Sequence, residues 1–158
     1  SCFQPTIGVW VQTARLLLIV RLGGGWVSQF EGGHQHKDGK GAEARFSYIC
    51  GMCQDSTGRL VVADGHNRAF RLVEKDGNDS KKIDRFMPRG LIDCGSVSTL
   101  TGGPAKPGHA DGPLEQAKFG FPKGVVCASD GILYTTDYWF SCIRSINLET
   151  KTVSTLAG

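Results

Sequence analysis

Short runs of apolar residues, rich in β-branched side chains and separated by turn residues, recur along most of the chain. The last four runs are Val125–Ala128, Leu133–Thr136, Cys142–Ile146 and Val153–Leu156. Polar turn residues separate them: Ser129-Asp130-Gly131 follows the first run, and Glu149-Thr150-Lys151 precedes the last. This spacing is typical of strands joined by tight turns, and no segment holds the period of about 3.6 residues expected of a helix. The pattern therefore predicts a four-stranded antiparallel meander and almost no helix.

The chain also repeats itself, because residues 38–73 align without a gap with residues 111–146. Each aligned segment is followed by a related tail, Val97–Gly102 in the first unit and Val153–Gly158 in the second. The matched positions that matter below are Asp38 with Asp111, Gly39 with Gly112, Phe46 with Phe119, Asp64 with Asp137, and Arg71 with Arg144. Four-stranded sheets that recur in this way, with apolar residues on both faces, are typical of β-propeller blades.

The spaced elements of the second unit resemble the NHL repeat. Residues 111–158 carry Asp-Gly, Ala-x-Phe, Pro-x-Gly-Val, Gly-x-Leu-Tyr-x-x-Asp, Ile-Arg-x-Ile and Val-Ser-Thr-Leu-Ala-Gly in order. Residues 38–73 carry the same pattern with departures, among them Met52 in place of the Val. The resemblance implies an all-β fold of propeller blades, each a four-stranded antiparallel sheet.

The repeat divides the chain into three units. Residues 1–33 are predicted to form the outer three strands of a preceding blade, residues 34–103 a blade with an insertion at 74–95, and residues 104–158 a second blade. The total of about two and three-quarter blades is fewer than the four to eight of a closed ring. We therefore expect an incomplete ring, as in a fragment of a longer propeller, and blade faces left uncovered that could allow self-association.

Residues that recur once per blade are predicted to be structural. Asp64 and Asp137 end the second strand of each blade, where an Asp commonly hydrogen-bonds the backbone of its own turn. Asp38-Gly39 and Asp111-Gly112 are interpreted as crossover turns. The alternative is that the two strand-end carboxylates are metal ligands or acid and base groups.

The other recurring side chains are aromatic and basic. Phe46 and Phe119 are predicted to fill the space between blades, since a large ring buries much apolar area. Arg71 and Arg144 lie on third strands and are expected to pair with a carboxylate or the backbone of a neighbouring blade, with ligand contact as the alternative.

Cys50-Gly51-Met52-Cys53 has the CxxC spacing of a redox pair or of half a zinc site, with His34 and His36 as further ligands. A redox CxxC requires a helix N-terminus, whereas the repeat places this segment at the start of an inner strand, and there is no second CxxC. We therefore expect no metal and no cofactor. The six cysteines are interpreted as mostly reduced.

The triplet Tyr138-Trp139-Phe140 is the least repeat-like feature, because Gly65-His66-Asn67 stands at its place in the first unit. Strand direction puts both turns on one face of the propeller. Three consecutive aromatic residues in a turn cannot all point into one core. The candidate binding residues on this face are Tyr138, Trp139, Phe140, His66 and Asn67; in the alternative, two of the rings cover the rim of an adjacent blade.

Charge and composition reduce the number of function classes that fit the sequence. The net charge of +3 is too weak to indicate nucleic acid, and the longest apolar run, residues 16–20, is too short to span a bilayer. NHL proteins include protein-binding scaffolds, RNA-binding subunits, and lyases or hydrolases on related propellers. The inner strands offer few metal ligands, so we expect a non-enzymatic scaffold that binds a protein or peptide through one face. The alternatives are a metal-dependent hydrolase or lyase and a single-stranded RNA-binding propeller. No feature of the sequence indicates a compartment.

Overall fold

The computed structural model describes residues 36–40, 43–74, 95–104, 107–128 and 130–158. The predicted partial blade at 1–33, His34, nearly all of the insertion, and Cys2 and Cys94 lie outside these residues. Within the described residues, ten strands form two sheets. The first sheet contains β1 (Gly39–Lys40), β2 (Ile49–Gln54), β3 (Leu60–Asp64), β4 (Ala69–Val73) and β5 (Ser96–Gly102). The second contains β6 (Gly112–Pro113), β7 (Pro122–Cys127), β8 (Ile132–Asp137), β9 (Cys142–Asn147) and β10 (Thr152–Ala157).

Both sheets have the same topology, with orders β1-β5-β4-β3-β2 and β6-β10-β9-β8-β7, and every pair of neighbouring strands is antiparallel. Four consecutive strands of each sheet form the predicted meander, which confirms the all-β prediction for propeller blades. We call β1–β5 the first blade and β6–β10 the second blade. The described residues include no helix that is long and apolar enough to cross a membrane.

A fifth, two-residue strand at the outer edge of each sheet is absent from the sequence prediction. The Asp-Gly segments, predicted to be only turns, pair with the outermost strands: Gly39 lies opposite Val97, and Gly112 opposite Val153. Two residues are too short to show a period in a sequence. The aspartates hold these segments in place, because each carboxylate accepts a hydrogen bond from a backbone amide of the outermost strand.

The innermost strand of the first blade is also longer than predicted. It spans Ile49–Gln54 instead of beginning at the CxxC glycine, and its register with β3 shifts between Ile49 and Gly51. The same shift occurs in β7 between Pro122 and Val125. Such bulges let an irregular start of a strand remain paired with its neighbour. The segment from Gly51 to Cys53 therefore lies in the middle of a strand.

The two blades pack face to face around one apolar core. Val61, Ala63 and Phe70 from the first blade contact Phe119 and Leu133 from the second. The rings of Phe70 and Phe119 meet edge to face, with centroids 5.1 Å apart. Phe46 occupies a separate core on the other side of the first sheet, with Leu60 and Val62. The first sheet is therefore buried on both faces.

The outer face of the second blade differs, since β8 and β9 alternate between buried and exposed residues. Its exposed side chains include Val126, Tyr134, Ile143 and Leu156. Tyr134 and Ile143 align with Val61 and Phe70 of the first blade, and the second blade covers those two residues. The described residues thus leave open a sheet face whose counterpart is buried.

Candidate functional site

The repeated arginine of the first blade is buried and fixes the crossover to the sheet. Arg71 Nη1 donates to the carbonyl of Arg45 at 2.9 Å and to Asp64 Oδ2 at 3.2 Å. Its Nη2 donates to the carbonyl of Lys37 at 2.9 Å and to Asp38 Oδ1 at 2.5 Å. All four partners lie in the first blade, so the expected pairing with a neighbouring blade is wrong. The crossover, the segment that leads into the inner strand, folds back over its own sheet, so its oxygen atoms are the ones that contact the arginine.

Arg144 repeats this arrangement in the second blade. Its Nη1 donates to the carbonyl of Lys118 at 2.6 Å, and its Nη2 donates to the carbonyl of Ala110 at 2.7 Å and to Asp111 Oδ1 at 2.6 Å. The guanidinium carbon lies 4.4 Å from the centroid of Phe119, a cation–π distance. Both arginines are thus held by hydrogen bonds within the fold and not presented to a ligand.

A histidine and a threonine complete each network, a role that sequence reasoning did not assign to either. His36 Nε2 lies 3.1 Å from Thr99 Oγ1, and Asp38 accepts hydrogen bonds from the amide and hydroxyl of Thr99. In the second blade, His109 Nε2 lies 2.9 Å from Thr155 Oγ1. The signal was present, because His-x-Asp-Gly stands at the start of both units.

These contacts shift two titrating groups of the first network. Although burial opposes the change, hydrogen bonds from Thr99 and the charge of Arg71 lower the pKa of Asp38. Burial and the charge of Arg71 lower the pKa of His36. His36 was considered as a metal ligand beside the CxxC segment, whereas it lies against Thr99. No group of three or more potential metal ligands occurs within the described part of the chain.

The strand-end aspartates are buried and bind the segment that leads into the inner strand. Asp64 accepts hydrogen bonds from the amide of Ser47 at 2.9 Å and from Asn67 Nδ2 at 2.7 Å. Asp137 accepts hydrogen bonds from the amides of Gly120 at 2.7 Å and Phe121 at 2.9 Å. The prediction that each bonds the backbone of its own turn is therefore wrong. Burial raises the pKa of Asp64 despite these hydrogen bonds.

Asn67 was predicted to lie on the candidate binding face, and this prediction is wrong. Its side chain is fully buried and donates to Asp64. A buried carboxylate requires hydrogen-bond donors, and this requirement draws the amide inward. The second blade has Phe140 at this position, and Asp137 takes two backbone amides instead.

The CxxC cysteines lie in β2 as free, half-buried thiols. Burial raises the pKa of Cys50 to about 11 and that of Cys53 to about 12. Thiols with such pKa values are protonated near neutral pH, whereas a nucleophilic cysteine reacts as a thiolate. Cys127 and Cys142 are also free, and burial raises the pKa of both.

The remaining predicted residues meet on one face of the two blades, together with two rings that the sequence did not single out. Tyr48 stacks on His66 with centroids 5.0 Å apart, and His66 meets the edge of Phe121 at 5.5 Å. Phe121 lies 6.0 Å from Trp139 and 6.3 Å from Tyr138. We call Tyr48, His66, Phe121, Tyr138, Trp139 and Phe140 the aromatic surface.

Most of these rings are accessible to solvent. The exposed fraction is 63% for Tyr138, 52% for Trp139, 41% for Tyr48 and 39% for Phe140. Phe121 is half-buried beneath them and contacts rings of both blades. A large exposed aromatic cluster is unusual on a protein surface unless it contacts something.

Two glycines make room for the rings. A Cβ at Gly65 would lie 2.7 Å from Cys50 Sγ and 2.9 Å from the ring of Phe121. A Cβ at Gly120 would lie 2.7 Å from the ring of Phe140 and 2.8 Å from Cβ of Trp139. The backbone under the aromatic surface therefore closely fits the rings above it. Phe140 also stacks on His109, with centroids 5.3 Å apart.

Two cations border the aromatic surface. The guanidinium carbon of Arg68 lies 5.3 Å from the ring centroid of Trp139, and Lys123 Nζ lies 5.0 Å from that of Tyr138. Sequence reasoning missed both, and it missed Tyr48 and Phe121. A signal existed for the two rings only, since they align with each other in the repeat.

Comparison with known proteins supports the repeat assignment, although no family model matches the chain. The chain is 36% identical over 103 residues, 65% of its length, to human NHL repeat-containing protein 2. It is 36% identical over 101 residues, 63% of its length, to the bovine protein of that name. The two blades are NHL repeats. The chain spans 11% of the length of each of these relatives.

A solved structure has the same fold as these NHL repeats. It is a structural genomics protein of unknown function from Bacteroides thetaiotaomicron, 24% identical, with a TM-score of 0.55. The match covers 72% of this chain and 24% of that one. The predicted family and the predicted propeller-blade fold are both confirmed.

Proposed function

We propose that these NHL repeats form a non-enzymatic interaction module that binds a protein or peptide through the aromatic surface. The observation that carries the proposal is the exposure of Tyr138, Trp139 and Phe140 at a turn where the first blade has Gly65-His66-Asn67. Because the first blade folds with a different turn sequence, the blade geometry does not require these rings.

The continuity of the surface supports the same function. Phe121 contacts rings from both blades, so the surface crosses the boundary between them. Energetically important residues in protein interfaces are enriched in Trp and Tyr and cluster near the centre. Truncating such an anchor typically costs about 2 kcal/mol or more of binding free energy.

The state of the reactive groups supports a role in binding instead of catalysis. Burial raises the pKa of Cys50 and Cys53, which keeps both thiols protonated near neutral pH. Asp64 and Asp137 are buried and hold backbone amides, so they face the fold interior.

Selection from a random-sequence peptide library tests the proposal. The immobilised chain is panned against phage-displayed peptides, and each recovered peptide is measured against the parent chain, Trp139→Ala and Tyr134→Ala. Tyr134 is the matched control, since it is an exposed aromatic residue on the outer sheet face of the second blade. The proposal predicts peptides whose binding is weakened by Trp139→Ala and not by Tyr134→Ala. Recovery of no peptide with that dependence would overturn it.

A further inference from the structure

The two charged side chains that lie against the rings of the aromatic surface are both basic. Arg68 lies against Trp139, and Lys123 lies against Tyr138. No acidic residue occurs in the turns 65–68 and 138–141 or in the segment 121–123. Across the whole chain, by contrast, 18 basic residues face 15 acidic ones. The surface is therefore more cationic than the composition of the chain predicts.

The described residues supply no carboxylate partner for the two cations. Neither Arg68 nor Lys123 forms an ion pair with a carboxylate of the described residues. Arg68 Nε is buried and has no hydrogen-bond partner there. The two nearby carboxylates, Asp64 and Asp137, are fully buried and accept hydrogen bonds from the fold. Arg68 as a whole is half-buried, and a guanidinium donates best to a planar carboxylate or phosphate.

We infer that the aromatic surface binds an acidic peptide segment in which Asp or Glu side chains flank a large apolar side chain. The carboxylates would meet Arg68 and Lys123, and the apolar side chain would contact Trp139 and Tyr138. The inference rests on the proposed function, and it adds the chemistry of the partner. Complementary charge across an interface suppresses wrong partners and accelerates association.

The geometry favours a peptide over single-stranded nucleic acid. Arg68 and Phe121 both lie against the ring of Trp139, and Lys123 lies over Tyr138. These contacts leave less of each ring face for a stacked base. Moreover, nucleic-acid binding draws on several phosphate contacts along the strand, whereas this surface presents two cations.

Fluorescence anisotropy with three labelled probes tests the inference. The first peptide has Glu residues flanking Trp and Leu, the second has Gln at each Glu position, and the third probe is oligouridylate. We expect the Glu peptide to bind the chain at least about tenfold more tightly than the Gln peptide. We also expect its binding to weaken as salt is added, because the Coulomb attraction is screened.

Two variants assign the effect to the cations. Arg68→Gln combined with Lys123→Gln should bring binding of the Glu peptide to the level of the Gln peptide, which the double variant should bind unchanged. Lys151→Gln is the control, since it removes a cation at the opposite end of the second blade, in the turn before β10.

Three outcomes would overturn the inference. The first is equal binding of the Glu and Gln peptides, and the second is tighter binding of oligouridylate that the double variant abolishes. The third is a set of library peptides that depend on Trp139 and carry no excess of acidic residues. That third result leaves the proposed function intact, whereas failure to recover any Trp139-dependent peptide overturns both.

Discussion

Arg144 Nη2 lies 2.6 Å from Asp111 Oδ1, and this pair joins the crossover of the second blade to its third strand. The arginine side chain is fully buried, whereas the aspartate is partly open to solvent. The same pair recurs in the first blade as Arg71 and Asp38, and there too the arginine side chain is fully buried while the aspartate is partly open to solvent. In each NHL unit, a buried arginine thus donates hydrogen bonds to carbonyl and carboxylate oxygens of the crossover and ties it to the sheet.

Replacing this arginine should destabilise the fold. Arg144→Met keeps much of the packing on Phe119 but removes the hydrogen bonds of the guanidinium to Asp111 and to the carbonyls of Ala110 and Lys118, which keep only their backbone amide donors. We expect a loss of about 2–3 kcal/mol in the free energy of unfolding, since a hydrogen bond from a charged group contributes about 1.5–3 kcal/mol. Urea denaturation followed by tryptophan fluorescence measures it. Lys151→Met, at an exposed turn, is the control, and equal stability of the two variants would contradict the structural role.

The same pair predicts a pH dependence. Although burial opposes the change, hydrogen bonds from Arg144 and Thr155 lower the pKa of Asp111 below its ordinary value of 3.8. A carboxyl whose folded pKa is depressed stabilises the fold above the unfolded pKa, and this contribution disappears as pH falls through the folded pKa. The stability difference between the parent chain and Asp111→Asn should therefore be full at about pH 5 and shrink below about pH 4.

Taking that difference cancels the effect of Asp64, whose pKa is raised by burial and which acts in the opposite direction. Urea denaturation at a series of pH values gives the two curves. A difference that stays constant from neutral pH down to about pH 2 would show that Asp111 titrates alike in the folded and unfolded states.

The buried thiols should react slowly. Because burial raises the pKa of Cys53 to about 12 and that of Cys50 to about 11, little thiolate is present near neutral pH. Iodoacetamide labelling followed by peptide mass spectrometry should show both residues alkylated much more slowly in the native chain than in urea. Rapid native labelling of Cys50 or Cys53 would indicate an activated thiol and count against a non-enzymatic module.

The open face of the second blade should promote self-association. Ile143 and Tyr134 lie where the first blade has Phe70 and Val61, which a neighbouring blade buries. Burying such a side chain is worth about 1.5–3 kcal/mol. Sedimentation velocity should detect species larger than the 17.0 kDa chain, and Ile143→Lys should reduce them. Thr150→Lys adds the same charge at an exposed turn and should not. A sharp monomer that unfolds cooperatively would contradict this expectation.

The repeat made the fold predictable from the sequence because the same spacing of apolar runs and turn residues occurs in both blades. The strands of the second blade, for example, lie within two residues or fewer of the predicted runs, except that β7 begins at Pro122. The hydrogen-bond partners of the repeated side chains were not predictable in the same way. Asp64 and Asp137 reach the segment before the inner strand, close to the register shifts at the start of β2 and β7.

The contacts of the aromatic surface were also only partly predictable from the sequence. Strand direction placed His66 and the aromatic triplet on one face, but the burial of Asn67 follows from the need of Asp64 for a donor. Arg68 and Lys123 lie in unremarkable sequence positions, and only their distances from Trp139 and Tyr138 single them out. Chemistry that arises between two blades leaves little trace in either repeat alone.

The affinity of Trp139→Ala for a library-selected peptide, measured beside its unfolding midpoint, tests the central claim most directly. The claim predicts at least about tenfold weaker binding, since about 1.4 kcal/mol corresponds to one decade, with a midpoint close to that of the parent chain. Tyr134→Ala should leave the affinity unchanged. If the midpoint of Trp139→Ala instead collapses while affinity per folded molecule is unchanged, Trp139 packs the blades together and the aromatic surface is not a binding site.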